Sequence, residues 1–172
     1  MNTNIVLVGF MGTGKTTVGL LLAEQLGWSF VDTDKVIVKR SGMSIPQIFE
    51  QQGEKAFRDL ETAVVKDMVK GSGQIISTGG GAVLRPENRE QMLAGGFVVA
   101  LKADAETIIS RVKEDKNRPL LAGDAEARVR ALLLERAEAY DFAHLTLQTD
   151  QLSAEAAAAL IAEAWKRKKQ QA

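Results

Sequence analysis

The 172-residue sequence predicts an α/β fold, a parallel five-stranded sheet flanked by helices. Two patterns carry this expectation. Short apolar runs alternate with stretches of helical periodicity from one end of the chain to the other. Three of those runs lead straight into polar or glycine-rich residues, as strands do where the carboxyl edge of an open sheet holds a ligand.

The strands are expected at 5–8, 29–31, 74–77, 97–101 and 145–148. Helical stretches are expected near 15–26, 34–70 (broken), 87–94, 104–115, 125–140 and 154–169. Asn4-Ile5-Val6-Leu7-Val8 is continuously apolar after its first residue, as a strand covered on both faces is. Val18, Leu21, Leu22 and Leu26 then recur at helical spacing. The segment 33–70 breaks the alternation by placing more than one helix between strands two and three. Ser44-Ile45-Pro46-Gln47 reads as a capping-box start, and Gly42 and Gly53 punctuate either side. Phe57, Leu60, Val64 and Met68 share one apolar face. The segment 115–124 is a second break, polar with Pro119 and Gly123; it reads as a flap over the crevice or as an ordinary connection. Ser153 caps a terminal Ala-rich helix. No internal repeat or low-complexity linker divides the chain, so one domain is expected over 1–172.

Composition narrows the class. Lys+Arg and Asp+Glu are both 22, and the formal charge is zero, which gives no global pull toward nucleic acid or an anionic membrane. Cysteine is absent, so disulfides and thiolate metal sites are excluded. No apolar run approaches the roughly 20 residues that span a bilayer. The N-terminus enters a strand without a signal-peptide pattern, so a cytoplasmic protein is expected.

The most informative stretch is Gly9-Phe10-Met11-Gly12-Thr13-Gly14-Lys15-Thr16-Thr17, which fits G-x-x-x-x-G-K-[ST] between a strand and a helix. Each position has its own task. Gly12 and Gly14 let the backbone curve around a phosphate, and successive N–H groups form an anion nest. The following helix aims its positive end at the same anion. Lys15 supplies a mobile charge for the outer phosphates, and the Thr16 hydroxyl can ligate Mg²⁺. This is a nucleotide-binding P-loop.

Other residues carry two readings each. Asp32 and Asp34 follow Ser29-Phe30-Val31. In an extended chain both carboxylates face one way, so one can serve a metal, directly or through water, while the other takes a proton from a substrate hydroxyl. Equally, one of them or Thr33 can cap the next helix. Thr78-Gly79-Gly80-Gly81-Ala82 allows close approach of main-chain N–H groups to a ligand, or a tight turn. Arg58, with Glu54 and Glu61 at helical spacing, is a surface ion network or a clamp on an anion oriented by Glu61. Arg118 is a solvated loop charge or a lid arginine that offsets transition-state charge. Arg136, with Glu135 and Glu138 near it, reads from its surroundings as a solvated helix charge. His144, Trp28 and Phe30 read as structural, and Lys166-Arg167-Lys168-Lys169 as the favourable basic end of a helix.

In combination these motifs closely resemble shikimate kinase over nearly the whole chain. The matches, in order, are Gly9 to Thr17, Asp32-Thr33-Asp34, Phe57-Arg58-Asp59-Leu60-Glu61, Thr78-Gly79-Gly80-Gly81 and Arg118-Pro119-Leu120-Leu121. The resemblance implies a P-loop kinase fold with a substrate-binding insertion at about 33–70 and a lid at about 113–124. It implies transfer of the γ-phosphate of ATP, with Mg²⁺, to the 3-hydroxyl of shikimate, in a cytoplasmic monomer. Gly12, Thr13, Gly14, Lys15, Thr16 and Thr17 would hold the nucleotide's phosphates. Thr16 would ligate Mg²⁺ and Asp32 would reach it through water. Asp34 would hold the acceptor hydroxyl and take its proton. Arg58 and Arg136 would bind the shikimate carboxylate, with Gly79, Gly80 and Gly81 along the ring, Gly80 through its backbone. Arg111 matches a position against adenine, and Arg118 would swing in with the lid. The chain departs from the family in Arg136-Ala137-Glu138-Ala139-Tyr140, where relatives often place Pro-Leu before the tyrosine, and in the loop Thr149-Asp150-Gln151-Leu152-Ser153 after the last strand. A P-loop kinase of another acid, such as gluconate, fits the first motif but not the later ones. The guanine signature Asn-Lys-x-Asp of a nucleotide-driven switch is absent.

Overall fold

The computed structural model describes residues 3–114 and 125–172. Its five strands are all parallel and lie in the order β2-β3-β1-β4-β5. They are β1 (Asn4–Val8), β2 (Ser29–Asp32), β3 (Gln74–Ser77), β4 (Phe97–Lys102) and β5 (Leu145–Gln148). The helices are α1 (Lys15–Leu26), α2 (Thr33–Ser41), α3 (Ile45–Met68), α4 (Pro86–Gly95), α5 (Ala105–Glu114), α6 (Ala125–Glu135) and α7 (Ala154–Gln171). A short 3₁₀ turn, Ala82–Leu84, precedes α4.

β1 is the central strand, and all five of its residues are buried. Side chains alternate across a strand, so β1 feeds two cores. Ile5 and Leu7 pack with Val18 and Leu22 of α1 and Ile161 of α7. Val6 and Val8 pack with Val65 of α3, Met92 of α4 and Tyr140. Asn4 is polar yet wholly buried, and its Nδ2 donates to the carbonyls of Gly71 (2.7 Å), Gly95 (3.0 Å) and Val69 (3.3 Å). That fixes the base of the strand and satisfies the amide. α2 and α3 carry a small core of their own, built on Ile37, Ile48, Phe57 and Val64.

The helical expectations need three refinements. The stretch 34–70 is two helices, and the second turns sharply at Gly53, where φ is +87°. The capping box at Ser44 and Gln47 is present as expected. The helix expected over 125–140 stops at Glu135. There Ala137 N–H bonds Leu134 O (3.4 Å) and Ala139 N–H bonds Arg136 O (3.0 Å), a tightening to three-residue spacing. The tighter turn brings Tyr140 into the core at 4% exposure. α2 begins at Thr33, directly after Asp32, which bears on the site. The expected flap or lid at 115–124, with Arg118, lies outside the described residues.

Candidate active site

The ends of β1, β2 and β3 open on one cavity of about 310 Å³. Its walls come from the P-loop, the start of α2, the middle of α3, the triple glycine and Arg136. The crevice expected from the strand ends is therefore formed.

The P-loop follows β1 directly. Gly12 and Gly14 have φ of +74° and +97°, and Gly14 precedes the first residue of α1. α1 has neither a side-chain cap nor an acidic residue in its first turn. Its amino end thus presents a positive dipole end and backbone donors to an anion. The buried Thr13 hydroxyl donates to Phe10 O at 2.8 Å and closes the loop from inside. Lys15 Nζ donates to the carbonyls of Gly9 (2.6 Å) and Phe10 (2.8 Å), so the ammonium lies folded over the loop.

At the end of β2, Asp32 caps α2. Its Oδ1 accepts from the amides of Asp34 (2.9 Å) and Lys35 (3.3 Å). The capping reading of this motif is thus realised by Asp32 itself. Asp34 sits in the first turn of α2, not in an extended chain, and still faces the same cavity as Asp32. The turn of a helix, rather than strand alternation, brings the pair together.

Arg58 and Glu61 stand one turn apart on α3, and Arg58 Nη1 donates to Glu61 Oε1 at 2.8 Å. Glu61 is 1% exposed. Burial pushes its carboxyl above the usual glutamate range, the Arg58 guanidinium opposes that, and nearby Asp34 adds to it. Glu54, on the solvent side, lies 3.7 Å from Arg58 Nε. Arg58 is thus largely buried and bonded to a buried carboxylate, rather than part of a surface network alone.

The triple glycine is a place of close approach. A Cβ on Gly79 would lie 2.9 Å from Asp34 Oδ1 and 3.2 Å from Glu61 Oε2. A tight turn is also present, since Ala82 N–H bonds Gly79 O at 3.1 Å. The Thr78 hydroxyl donates to Leu7 O at 2.9 Å and ties this strand end to β1. Arg136 reaches the same cavity from beyond α6, its guanidinium 5.8 Å from the centre of the Phe10 ring.

Arg111 belongs to a separate hollow of about 240 Å³, for which Thr13, Gly14 and Thr17 also form a wall. Its Nη1 donates to Gly12 O (3.0 Å) and its Nη2 to Thr149 O (3.3 Å). Thr149 is buried, and its hydroxyl donates to Thr13 O at 3.0 Å. A larger hollow of about 420 Å³ lies between Phe10, Ile108, Leu133 and Tyr140. Its walls are mostly apolar and lack the carboxylates and the P-loop lysine of the smaller cavity, which is therefore the candidate site.

His144 takes no part in the cavity. Its Nδ1 accepts from Val98 N–H (2.9 Å) near the start of β4, at the other end of the sheet. Burial, with a smaller contribution from Lys168, holds the imidazole below its usual range. Trp28 packs edge-on against Trp165, as its structural reading expects. Two participants carry little sequence signal as site residues, Tyr140 and Thr149; the only hint of Tyr140 is its fixed spacing from Arg136.

A P-loop with its lysine at the carboxyl edge of a parallel sheet, facing two guanidinium groups across one cavity, defines a P-loop phosphotransferase. A sequence model of the family described as Shikimate kinase matches residues 11–166. A shikimate kinase from Geobacter sulfurreducens is 48% identical over 147 residues, 85% of this chain and 81% of that one. One from Thermodesulfovibrio yellowstonii is 44% identical over 165 residues, 95% of each chain. The solved structure of Acinetobacter baumannii shikimate kinase in complex with shikimate superposes with a TM-score of 0.90 at 42% identity, covering 98% of this chain and 96% of that one. The chain belongs to the shikimate kinase family, ATP-dependent transferases that phosphorylate shikimate in aromatic amino-acid biosynthesis.

Proposed function

We propose that this chain transfers the γ-phosphate of ATP to the 3-hydroxyl of shikimate, giving shikimate 3-phosphate. One observation carries the reading: Lys15, Asp34, Arg58 and Arg136 line a single cavity. A cationic phosphate grip, a candidate base and two carboxylate ligands thus share one small space.

The roles follow from chemistry. Gly12, Thr13, Gly14, Thr16 and Thr17 offer the P-loop amides to the phosphates. Lys15 exchanges its loop carbonyls for the β- and γ-phosphate oxygens. Arg58 and Arg136 hold the shikimate carboxylate, since planar guanidinium forks match a carboxylate in geometry as well as charge. Asp34 orients the acceptor hydroxyl and takes its proton as the oxygen bonds phosphorus. Gly79, Gly80 and Gly81 bring backbone against the ring. Arg111 lies against adenine in its own hollow. Arg118 enters from the 113–124 segment, the proposed lid, and offsets transition-state charge. The proposed substrate-binding insertion is 33–70, within a single domain spanning 1–172.

Among the described residues no group of three or more His, Asp or Glu is placed to cage a metal. The oxygen donors that do line the cavity, the Thr16 hydroxyl and the Asp32 carboxylate, fit Mg²⁺, which keeps several waters and binds through few protein groups plus substrate phosphates. Thr16 and Asp32 line the same cavity and are the residues that would hold it, Asp32 through water. When bound, Mg²⁺ supplies neutralisation of β- and γ-phosphate charge. The proposed working form is a cytoplasmic monomer acting without nucleic acid or membrane, consistent with zero formal charge. No helix among the described residues is long and apolar enough to cross a membrane.

The test is ADP release with MgATP and shikimate, gluconate or no acceptor, with the product's mass recorded. Shikimate-dependent turnover to a monophosphate is expected. Turnover with gluconate and not shikimate overturns the proposal.

A further inference from the structure

Tyr140 lies outside the substrate cavity. It forms part of the wall of the apolar hollow behind it, whereas Gly80 and Gly81 face the substrate side. Its ring is buried at 4% exposure, and its hydroxyl donates to Gly80 O at 2.8 Å. A buried phenol needs a polar partner, and here the partner is one particular peptide of the triple glycine. The donor state is secure, because burial raises the phenol above the usual tyrosine range, outweighing the lowering by Arg136.

The peptide it holds is otherwise easy to turn. Glycines have the widest choice of backbone angles, and three in succession leave the loop without side-chain anchors. Gly79 O and Gly81 O are each bonded within the local turn, to Ala82 N–H and Leu84 N–H (both 3.1 Å). Gly80 O is held by Tyr140 from 60 residues away. A trans peptide sets its carbonyl and its N–H in opposite directions, and none of the described peptides is cis. Fixing Gly80 O toward Tyr140 therefore turns Gly81 N–H the other way. The same turn of chain carries Arg136, since Ala139 N–H bonds Arg136 O at 3.0 Å. Arg136 Nη1 would lie 3.5 Å from a Cβ on Gly80.

We propose that Tyr140 is a positioning residue for the acceptor substrate: by holding Gly80 O it fixes the Gly80–Gly81 peptide, and with it the backbone donors and the Arg136 guanidinium that shikimate meets. The inference rests on the assignment of the acceptor site to this cavity. It predicts a selective effect, because the Tyr140 hydroxyl is bonded to the triple glycine and Tyr140 is not among the residues that line the Arg111 hollow.

The test is Tyr140→Phe, which keeps the ring and removes one hydroxyl. From the net worth of one hydrogen bond, KM for shikimate is expected to rise about 2- to 10-fold, with KM for ATP essentially unchanged. Circular dichroism and Tm establish that the variant folds. Amide spectra of ¹⁵N-labelled protein are recorded alongside, with shikimate titrated into both forms. The Gly80 and Gly81 amides of the wild type are expected to shift on titration, and to start from displaced positions in the variant. Unchanged KM for shikimate, with those amides responding alike in both proteins, overturns the role of Tyr140 and leaves the acceptor site standing. A fall in Tm with both KM values raised equally reduces Tyr140 to a packing residue and overturns it too. Wild-type Gly80 and Gly81 amides that ignore shikimate overturn the site assignment itself, and the inference with it.

Discussion

Gly81 and Arg58 are packed so closely that a Cβ on Gly81 would lie 2.5 Å from Arg58 Nη2 and 2.6 Å from Nη1. The absence of a side chain at one residue is thus a condition for the position of the other. Gly81→Ala is expected to push the guanidinium away from the cavity while the chain still folds. Steady-state kinetics will show KM for shikimate raised at least about 10-fold, the scale of a displaced charged ligand, with KM for ATP nearly constant.

Arg58→Ala removes the same group outright. Its expected signature is a large rise in KM for shikimate with ATP affinity preserved, measured by isothermal titration of each ligand. Loss of ATP binding would move Arg58 to the nucleotide side.

Lys15→Ala removes the ammonium that lies folded over Gly9 and Phe10. Turnover in the coupled ADP assay is expected to fall at least about 100-fold, the usual cost of deleting one charge-stabilising group. Asp34→Asn keeps the shape of α2 and removes the proton acceptor, so kcat falls while the far-ultraviolet spectrum stays the same.

Glu61 gives a pH prediction. Its carboxyl is raised mainly by burial, so the folded state holds the proton more tightly than the unfolded chain. The resulting stability is complete below the ordinary glutamate value of 4.5 and is lost as pH rises through the higher folded value. Glu61→Gln cannot ionise and loses nothing in that window. Plotting Tm against pH, the variant is expected to gain on the wild type as pH rises above 4.5. Parallel curves would show that the Glu61 carboxyl gives up its proton at the same pH in the folded and unfolded chains, and so is not raised by the fold.

His144 behaves in the opposite sense. Its folded value is depressed, so its contribution is present above 6.5 and is lost as pH falls through the lower folded value. His144→Gln is expected to flatten the acid side of the same plot.

Most of this architecture is local in origin and so could be read from the chain. The P-loop, the apolar run before it and the helix after it occupy one stretch, and so do the Ser44 capping box and the Arg58–Glu61 pair. What escapes sequence reading is non-local or context-driven. The order β2-β3-β1-β4-β5 depends on pairings between distant strands. Tyr140 meets Gly80 across 60 residues, and Thr149 meets Thr13 across 136. Arg136-Ala137-Glu138-Ala139 has good helix formers, yet burial of Tyr140 ends α6 before them; packing overrides propensity there. An extended chain would also turn Asp32 and Asp34 the same way. The side chain of Asp32 instead starts a helix between them, an outcome the same two residues also permit.

The two halves of the crevice hang from unequal supports. The nucleotide loop grows out of β1, which has two strands on either side, whereas Asp32 ends the outermost strand, β2, and Asp34 follows it. Edge elements exchange their amide protons through cheaper openings than a buried central strand does. On gentle warming, deuterium is expected to enter Phe30 and Val31 well before Val6 and Leu7. The proposed proton acceptor and the proposed water-linked metal ligand thus sit on the side of the crevice that opens first.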